Sequence, residues 1–405
     1  MPPRSQHDWQ GTATAAGVGR GFDGFIARCR SFWQRVTDGV ALHDLWVQFH
    51  ADARSSYELY AKEVDLEPAA AGERRWKRTW RVTRALFWAM MIKLSPARRV
   101  FFLAALVLGV LGVLDVRFNI GQKEFIVGGG ELPLMLSAAS LLVLLALELA
   151  DRVTMKRDLE IAREIQGWLM PAAPPQVPGC DIAFHTRPQN TVAGDYYDAF
   201  LRPAPEASQT SSAPGPLLLV VADVAGKSVP AALLMATFQA SLRTLAASPT
   251  PLLSLIASLN QYACSNNLGG RRFTTAFFAE LDPATGALVY VNAGHNWPVL
   301  RRASGAVERL EAGGLPFGIK EDSLYESGNT IMAKGDLLMI FTDGLVEAVN
   351  DQGEEYGEAR LLTVLDSAFG GDAAAVMASL MGSVDAFVGF ARQHDDMTCL
   401  VLRTL

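Results

Sequence analysis

The chain has 405 residues, room for two or three domains, with 50% apolar residues and a formal net charge of −6. That balance excludes a global nucleic-acid footprint. Cys29, Cys180, Cys264 and Cys399 have no metal spacing and read as thiols of a reducing compartment, not as a disulfide framework.

Residues 1–21 are rich in Gly, Ala and Thr, and no apolar stretch behind Met1-Pro2-Pro3-Arg4 reads as a signal peptide. From Phe22 to Val64, aromatic and aliphatic residues recur at mixed helical spacing, which predicts short amphipathic helices without visible ligand chemistry. Between Glu73 and Arg99, Trp76, Trp80, Thr83, Phe87, Met90 and Leu94 form one stripe, and Arg74, Arg75, Lys77, Arg78, Arg81 and Arg84 crowd its start. Trp beside Arg on such a helix is the pattern of a segment in the membrane interface, closing an N-terminal cytoplasmic helical region, residues 1–98.

Two apolar blocks follow, Val100–Leu114 and Leu132–Ala150. They are at or slightly below the length of a full crossing, so buried core helices are the competing reading. Lys93, Arg98 and Arg99 before the first block, and Arg152, Lys156 and Arg157 after the second, place both ends in the cytoplasm. The expectation is a transmembrane hairpin over 99–150 in the inner (cytoplasmic) membrane. Over 151–175 the second helix continues as a linker. Met155, Leu159, Ala162, Gln166 and Leu169 form a seam suited to a partner helix and a homodimer, and Pro171, Pro174 and Pro175 end it.

The remainder, 176–405, reads as an α/β (α+β) domain. Strands are predicted at 181–186, 196–201, 217–223, 275–282, 287–292, 299–302, 336–342 and 397–402, and helices at 230–247, 251–266 and 372–387. Adjacent strands joined by tight turns such as Asp282-Pro283-Ala284-Thr285-Gly286 favour antiparallel hairpins. Residues 203–216 read as a Pro- and Ser-rich loop inserted between strands. Carboxylates stand at strand ends in Gly194-Asp195-Tyr196-Tyr197-Asp198, Asp223-Val224-Ala225-Gly226-Lys227, Thr342-Asp343-Gly344 and His394-Asp395-Asp396-Met397-Thr398. One Asp-Gly alone is a turn. Several in one region point to hard divalent cations, Mn²⁺ or Mg²⁺, which prefer oxygen ligands.

These stretches, with Glu164-Ile165-Gln166, Leu169-Met170-Pro171, Asn292-Ala293-Gly294-His295-Asn296 and Gly314-Leu315-Pro316-Phe317-Gly318, resemble in order the bacterial PPM-type (protein phosphatase 2C-like) Ser/Thr phosphatases. The branch is that of stage II sporulation protein E and the stress-response sigma-factor regulators. The resemblance implies a β-sandwich flanked by helices, two Mn²⁺ or Mg²⁺ ions, and a linker helix that docks on the catalytic domain and transmits regulation. It also implies site roles. Asp195 and Asp223 would flank both ions with the Val224 carbonyl, and Asp343 with Asp395 or Asp396 would hold the second. The implied substrate is a phosphorylated regulatory protein such as an anti-sigma-factor antagonist, dephosphorylated by metal-activated water.

His295 is open to two readings, an acid catalyst or phosphate contact, or a turn histidine bonded to backbone. Gly226-Lys227-Ser228 ends like a nucleotide loop, but Val221 stands where that loop needs Gly. Ser228 takes the place of the Gly more usual in the family. The competing function is a catalytically inactive scaffold that binds phosphoprotein, which would need no metal cage.

Overall fold

The computed structural model describes residues 75–120, 123–128, 130–203, 215–266 and 272–405. The helices expected between Phe22 and Val64, and most of the 203–216 insertion, lie outside the described residues. The chain divides into two compact units, Met1–Leu149 and Ala150–Leu405.

In the first unit, α1 spans Arg75–Lys93 and α2 spans Pro96–Val113. The break between them is set by Ser95 and by Pro96, whose fixed φ suits a first helical turn but cannot continue a helix already running. A β-hairpin follows where a plain loop was expected, β1 (Asp115–Ile120) paired antiparallel with β2 (Lys123–Gly128). Helix α3 then runs unbroken over Glu131–Leu169, crossing the division between the units.

Three contacts make α2 and α3 antiparallel, because partner numbers fall as α2 advances. Arg98 Nη1 meets Glu148 Oε2 at 3.3 Å, Ser137 Oγ donates to the Ala105 carbonyl at 2.7 Å, and Gly112 lies against Leu134. A Cβ at Gly112 would sit 2.6 Å from Leu134 Cγ, so only glycine lets the helices close here. Just 11% of either apolar window is buried, and both helices are long and apolar enough to cross a membrane.

The second unit contains, in chain order, β3 (Cys180–Arg187), β4 (Tyr196–Leu201), β5 (Leu217–Val224), α4 (Val229–Ala246), α5 (Leu252–Ser265), β6 (Thr274–Leu281) and β7 (Ala287–Ala293). Then follow β8 (Val299–Arg301), β9 (Val307–Arg309), β10 (Gly313–Gly314), β11 (Gly328–Ile331), β12 (Leu337–Phe341), α6 (Asp343–Val346), α7 (Gly357–Ser367), α8 (Ala373–Val388) and β13 (Met397–Thr404). One sheet has the order β10-β7-β6-β5-β4, with β11 also on β7; the other has β3-β13-β12-β8-β9. All pairings are antiparallel except β10 with β7. The predicted strands and helices of this unit fall within two residues of those observed.

Side-chain alternation builds the layers. On β5, Leu217, Leu219 and Val221 join Leu338, Ile340, Leu400 and Leu402 of the opposite sheet in the inter-sheet core. Leu218, Val220 and Ala222 face the other way, onto Met235, Phe238 and Leu242 of α4 and Ile256 of α5. Met339, Phe341, Cys399 and Val401 likewise pack outward on Leu361 of α7 and on Val376, Leu380 and Val384 of α8. The result is a four-layer helix–sheet–sheet–helix sandwich, each buried aliphatic side chain contributing about 1.5–3 kcal/mol before entropy.

The same alternation turns Asp198 outward toward α4. It is fully buried, and both its oxygens are bonded by Arg243, Nε to Oδ2 and Nη2 to Oδ1, each at 2.7 Å. The Tyr196 hydroxyl donates to Oδ2 and the Ala199 N–H to Oδ1. Asp198 therefore ties β4 to α4 and does not reach the inter-sheet mouth. Because Arg243 is 42% exposed, Arg243→Met should cost roughly 2–3 kcal/mol in urea unfolding, below the 3–5 kcal/mol of a fully closed pair. Hydrolytic activity per folded molecule should be unchanged.

Candidate active site

Register brings the strand-end carboxylates to one end of the sandwich. Tyr196 of β4 pairs with Ala222 of β5, which sets Asp195 beside Asp223. Phe341 of β12 pairs with Cys399 of β13, which sets Asp343 near Asp395 and Asp396. Asp195 and Asp223 share the inward parity of Tyr197 and Val221, so they point into the opening between the sheets.

Hydroxyls stitch the two groups together. Thr342 Oγ1 donates to Asp195 Oδ2 at 2.9 Å and accepts from the Thr398 N–H at 3.0 Å. Thr186 Oγ1 and Thr398 Oγ1 lie 2.9 Å apart, extending this ladder to β3. These threonines were not singled out as site residues in the sequence. Their signal is position: Thr342 precedes Asp343, and Thr398 follows Asp396 by two.

Asp395 and Asp396 differ sharply in what they touch. Asp396 accepts the Gln189 N–H at Oδ1 (2.6 Å) and the Gly194 N–H at Oδ2 (2.7 Å), so both its oxygens hold the 189–194 loop. Asp395 accepts the Asp396 N–H at Oδ1, and its Oδ2 lies 3.0 Å from Lys227 Nζ. Lys227 also donates to the His394 carbonyl, so the lysine read as a failed nucleotide loop is the cation at this rim. The Val224 carbonyl lies against Gly194, next to Asp195. Ser228 follows at φ +67 and ψ −151, backbone that costs a non-glycine residue of order 1–3 kcal/mol.

The charges act on one another. Burial raises the proton affinity of Asp195 well above the ordinary carboxylate value, and the Asp223 charge adds to it. Burial, then Asp343, Asp395 and Asp396, push Asp223 up to about 7. Burial and then Asp395 raise Asp343, with Lys227 acting in the opposite direction. Burial also raises Asp396, against its backbone N–H bonds. Among the described residues, no group of three or more His, Cys, Asp or Glu side chains is already gathered as a ready-made metal cage. His295 lies buried beside Thr275, the cross-strand neighbour of Asp223, and is not a solvent-facing acid.

Gln166 departs from its expected place. Its Nε2 donates to the Ala193 carbonyl at 2.7 Å and its Oε1 accepts the Ala193 N–H at 3.0 Å. Leu159, Ala162 and Leu169 are half-buried on the same side, whereas Ile161, Ile165 and Trp168 stand exposed. The seam read as meeting a partner helix thus includes the residue by which α3 grips its own catalytic unit.

Residues 213–405 match the family described as stage II sporulation protein E (SpoIIE). Protein IcfG of Synechocystis sp. is 27% identical over 325 residues, 72% of this chain and 48% of IcfG, so the chain spans about half of that relative. The phosphoserine phosphatase RsbU of Bacillus subtilis is 26% identical over 249 residues, 61% of this chain and 70% of RsbU. Among solved structures, the SiaA-PP2C domain of Pseudomonas aeruginosa superimposes with a TM-score of 0.53 at 20% identity, over 63% of this chain and 99% of that domain. The matched region contains three of the four acidic stretches, and β3 and β4 complete its two sheets with the fourth. Over residues 213–405 the chain is thus similar to the stage II sporulation protein E family, and its C-terminal unit has the fold of a PP2C-type domain.

Proposed function

We propose that the chain is a membrane-anchored protein serine/threonine phosphatase, dependent on two Mn²⁺ or Mg²⁺ ions, that dephosphorylates a regulatory protein. The observation that carries this reading is the convergence of Asp195, Asp223, Asp343 and Asp395 from both sheets, close enough that each neighbour's charge raises proton affinity. The donor set fits hard cations. Every donor is oxygen, and Mg²⁺-like ions need only one or two carboxylates each, with water completing the shell. Asp195 and Asp223 with the Val224 carbonyl, and Asp343 with Asp395, are the groups that would hold them. Asp396 serves the loop, since both its oxygens are engaged by backbone.

When bound, such ions supply activated water and offset the charge of a phosphomonoester dianion. The chain's own groups prepare for this. Thr342 fixes the Asp195 carboxylate, and Lys227 adds a positive charge at the solvent-facing rim where a phosphate arrives. No protein nucleophile is required. The name of RsbU as a phosphoserine phosphatase supports a phosphoserine or phosphothreonine substrate, and an anti-sigma-factor antagonist is the substrate class in keeping with that branch. The basic flanks of the apolar helices support an inner-membrane hairpin with the phosphatase domain in the cytoplasm. The exposed Ile161–Ile165–Trp168 stripe supports a homodimer through α3.

In mild detergent, the full chain should hydrolyse p-nitrophenyl phosphate and a phosphoserine peptide only with Mn²⁺ or Mg²⁺. Asp223→Asn and Asp343→Asn should lower turnover by more than about 100-fold, beyond the 10–100-fold typical of outer-shell partners. Absence of metal-dependent turnover in the unmodified chain would instead favour the scaffold. Ile165→Glu should convert a dimer to a monomer by light scattering; a monomeric unmodified chain sinks the dimer.

The carboxylate cluster also sets a pH dependence. Asp223 has a folded proton affinity of about 7 against an ordinary 3.8. Its stabilising contribution is therefore complete at low pH and lost as pH rises through about 7. In EDTA, Tm of the phosphatase unit should fall between pH 5 and pH 8. Asp223→Asn should flatten that fall, and Mn²⁺ should raise Tm more at pH 8 than at pH 5. Calorimetry showing a pH-independent Tm in EDTA would contradict the charge crowding.

A further inference from the structure

We infer that a polar cleft beside the carboxylate mouth is a substrate subsite, where Arg163 holds an acidic side chain next to the phosphorylated serine or threonine. This rests on the phosphatase reading above and deepens it, because it states which sequence around the phosphoryl group the chain prefers.

The cleft holds about 470 Å³ and lies wholly within the unit Ala150–Leu405. Helix α3 lines it with Arg163, the loop before Asp195 lines it with Gln189, Asn190 and Thr191, and Ser228 completes it. Its loop and Ser228 both adjoin the mouth. Asp396 holds the Gln189 and Gly194 N–H groups. Ser228 directly follows Lys227, whose Nζ lies 3.0 Å from Asp395 Oδ2. An extended chain advances only about 3.3–3.6 Å per residue. A phosphoserine seated at Lys227 therefore brings its own near neighbours to the cleft.

The lining selects an anion. No carboxylate is part of it. Arg163 makes no ion pair or hydrogen bond with the described residues, and Glu160, one turn back on α3, pairs with Lys156 at 3.9 Å. A guanidinium offers a fork of N–H donors matched to a carboxylate. Thr191 and Ser228 bring hydroxyls that bond to nothing among the described residues. The amides between them are already set, Asn190 Nδ2 donating to Gln189 Oε1 at 3.3 Å and Gln189 Nε2 to the Gln393 carbonyl at 3.4 Å.

Ser228 is the second, independent sign. It is the one non-glycine residue with positive φ among the described residues. It stands at the N-cap of α4, yet its hydroxyl makes no capping bond. Glycine would remove the strain, and nothing in the helix uses the hydroxyl. Strain of this kind belongs to sites where a side chain is wanted for a ligand.

The test uses the full chain in detergent at saturating Mn²⁺, with two phosphoserine peptides. One has Asp and Glu on both sides of the phosphoserine, the other has Ala. The unmodified chain should favour the acidic peptide by about 10-fold in kcat/KM, the effect of one hydrogen bond to a charged group, and the difference should lie in KM. The preference should shrink as salt is raised. Arg163→Gln should abolish it, and Arg163→Glu should reverse it.

Equal use of both peptides by the unmodified chain overturns the cleft assignment and leaves the phosphatase reading standing. So does an Arg163→Gln variant that slows both peptides by the same factor, which would make Arg163 a residue of α3 packing. If the inhibition constant of inorganic phosphate rises in Arg163→Gln as much as the acidic peptide's KM, the cleft is a seat for free phosphate and the inference falls. If the Arg163 variants fail to fold, an undiminished preference in both Ser228→Gly and Thr191→Val overturns it. No turnover of either peptide or of p-nitrophenyl phosphate by the unmodified chain refutes the phosphatase reading itself.

Discussion

Like charges held together at the open end of the sandwich are the constraint on which the catalytic unit depends. Carboxylates do not gather unless strong backbone pairing on both sides forces them to. Here the force comes from β5 and β12, whose runs Leu217–Ala222 and Leu337–Ile340 are wholly buried. They are sandwiched between an inter-sheet core and outer helices. Hydrophobic burial along the strands outweighs electrostatic strain at their ends. The unfavourable arrangement is left at the strand ends, where Asp395 and Lys227 meet solvent.

Polar groups behind that opening form a support of their own. The Thr186–Thr398–Thr342 ladder fixes Asp195, and Asp396 gives both oxygens to the 189–194 loop. Farther back, Arg202 bonds Glu280 and the carbonyls of Ser248 and Thr250, closing the chain after α4. Each interaction satisfies groups that would otherwise be stranded in a dry interior.

How much of this was readable in the sequence follows from the range of each signal. Strand runs such as Leu217–Asp223 announce themselves by apolar composition, and the acidic turns by abutting them. The contrast between Asp195 and Asp198 was also within reach, because three positions on one strand reverse the face. Helix α7 was missed because Leu361 and Leu365 give too narrow an apolar stripe among polar neighbours. The division of labour between Asp395 and Asp396 depends on a loop some two hundred residues away, as the 207-residue separation from Gln189 shows. No local pattern carries that. Gln166 misled for a related reason: a polar residue on a helical seam looks like a flaw until the backbone it pairs with is known.

That glutamine gives α3 a phase as well as a position. Its carboxamide pairs with Ala193 as one peptide unit pairs with another, two bonds made or broken together. A roll of the helix by one residue, about 100°, would swing the amide clear and set a neighbour in its place. Neither Ile165 nor Gly167 offers such a matched donor and acceptor. Angular drift of the rod would thus break both bonds to the segment leading to Asp195 together, as a key's bitting turns a smooth rotation into a step.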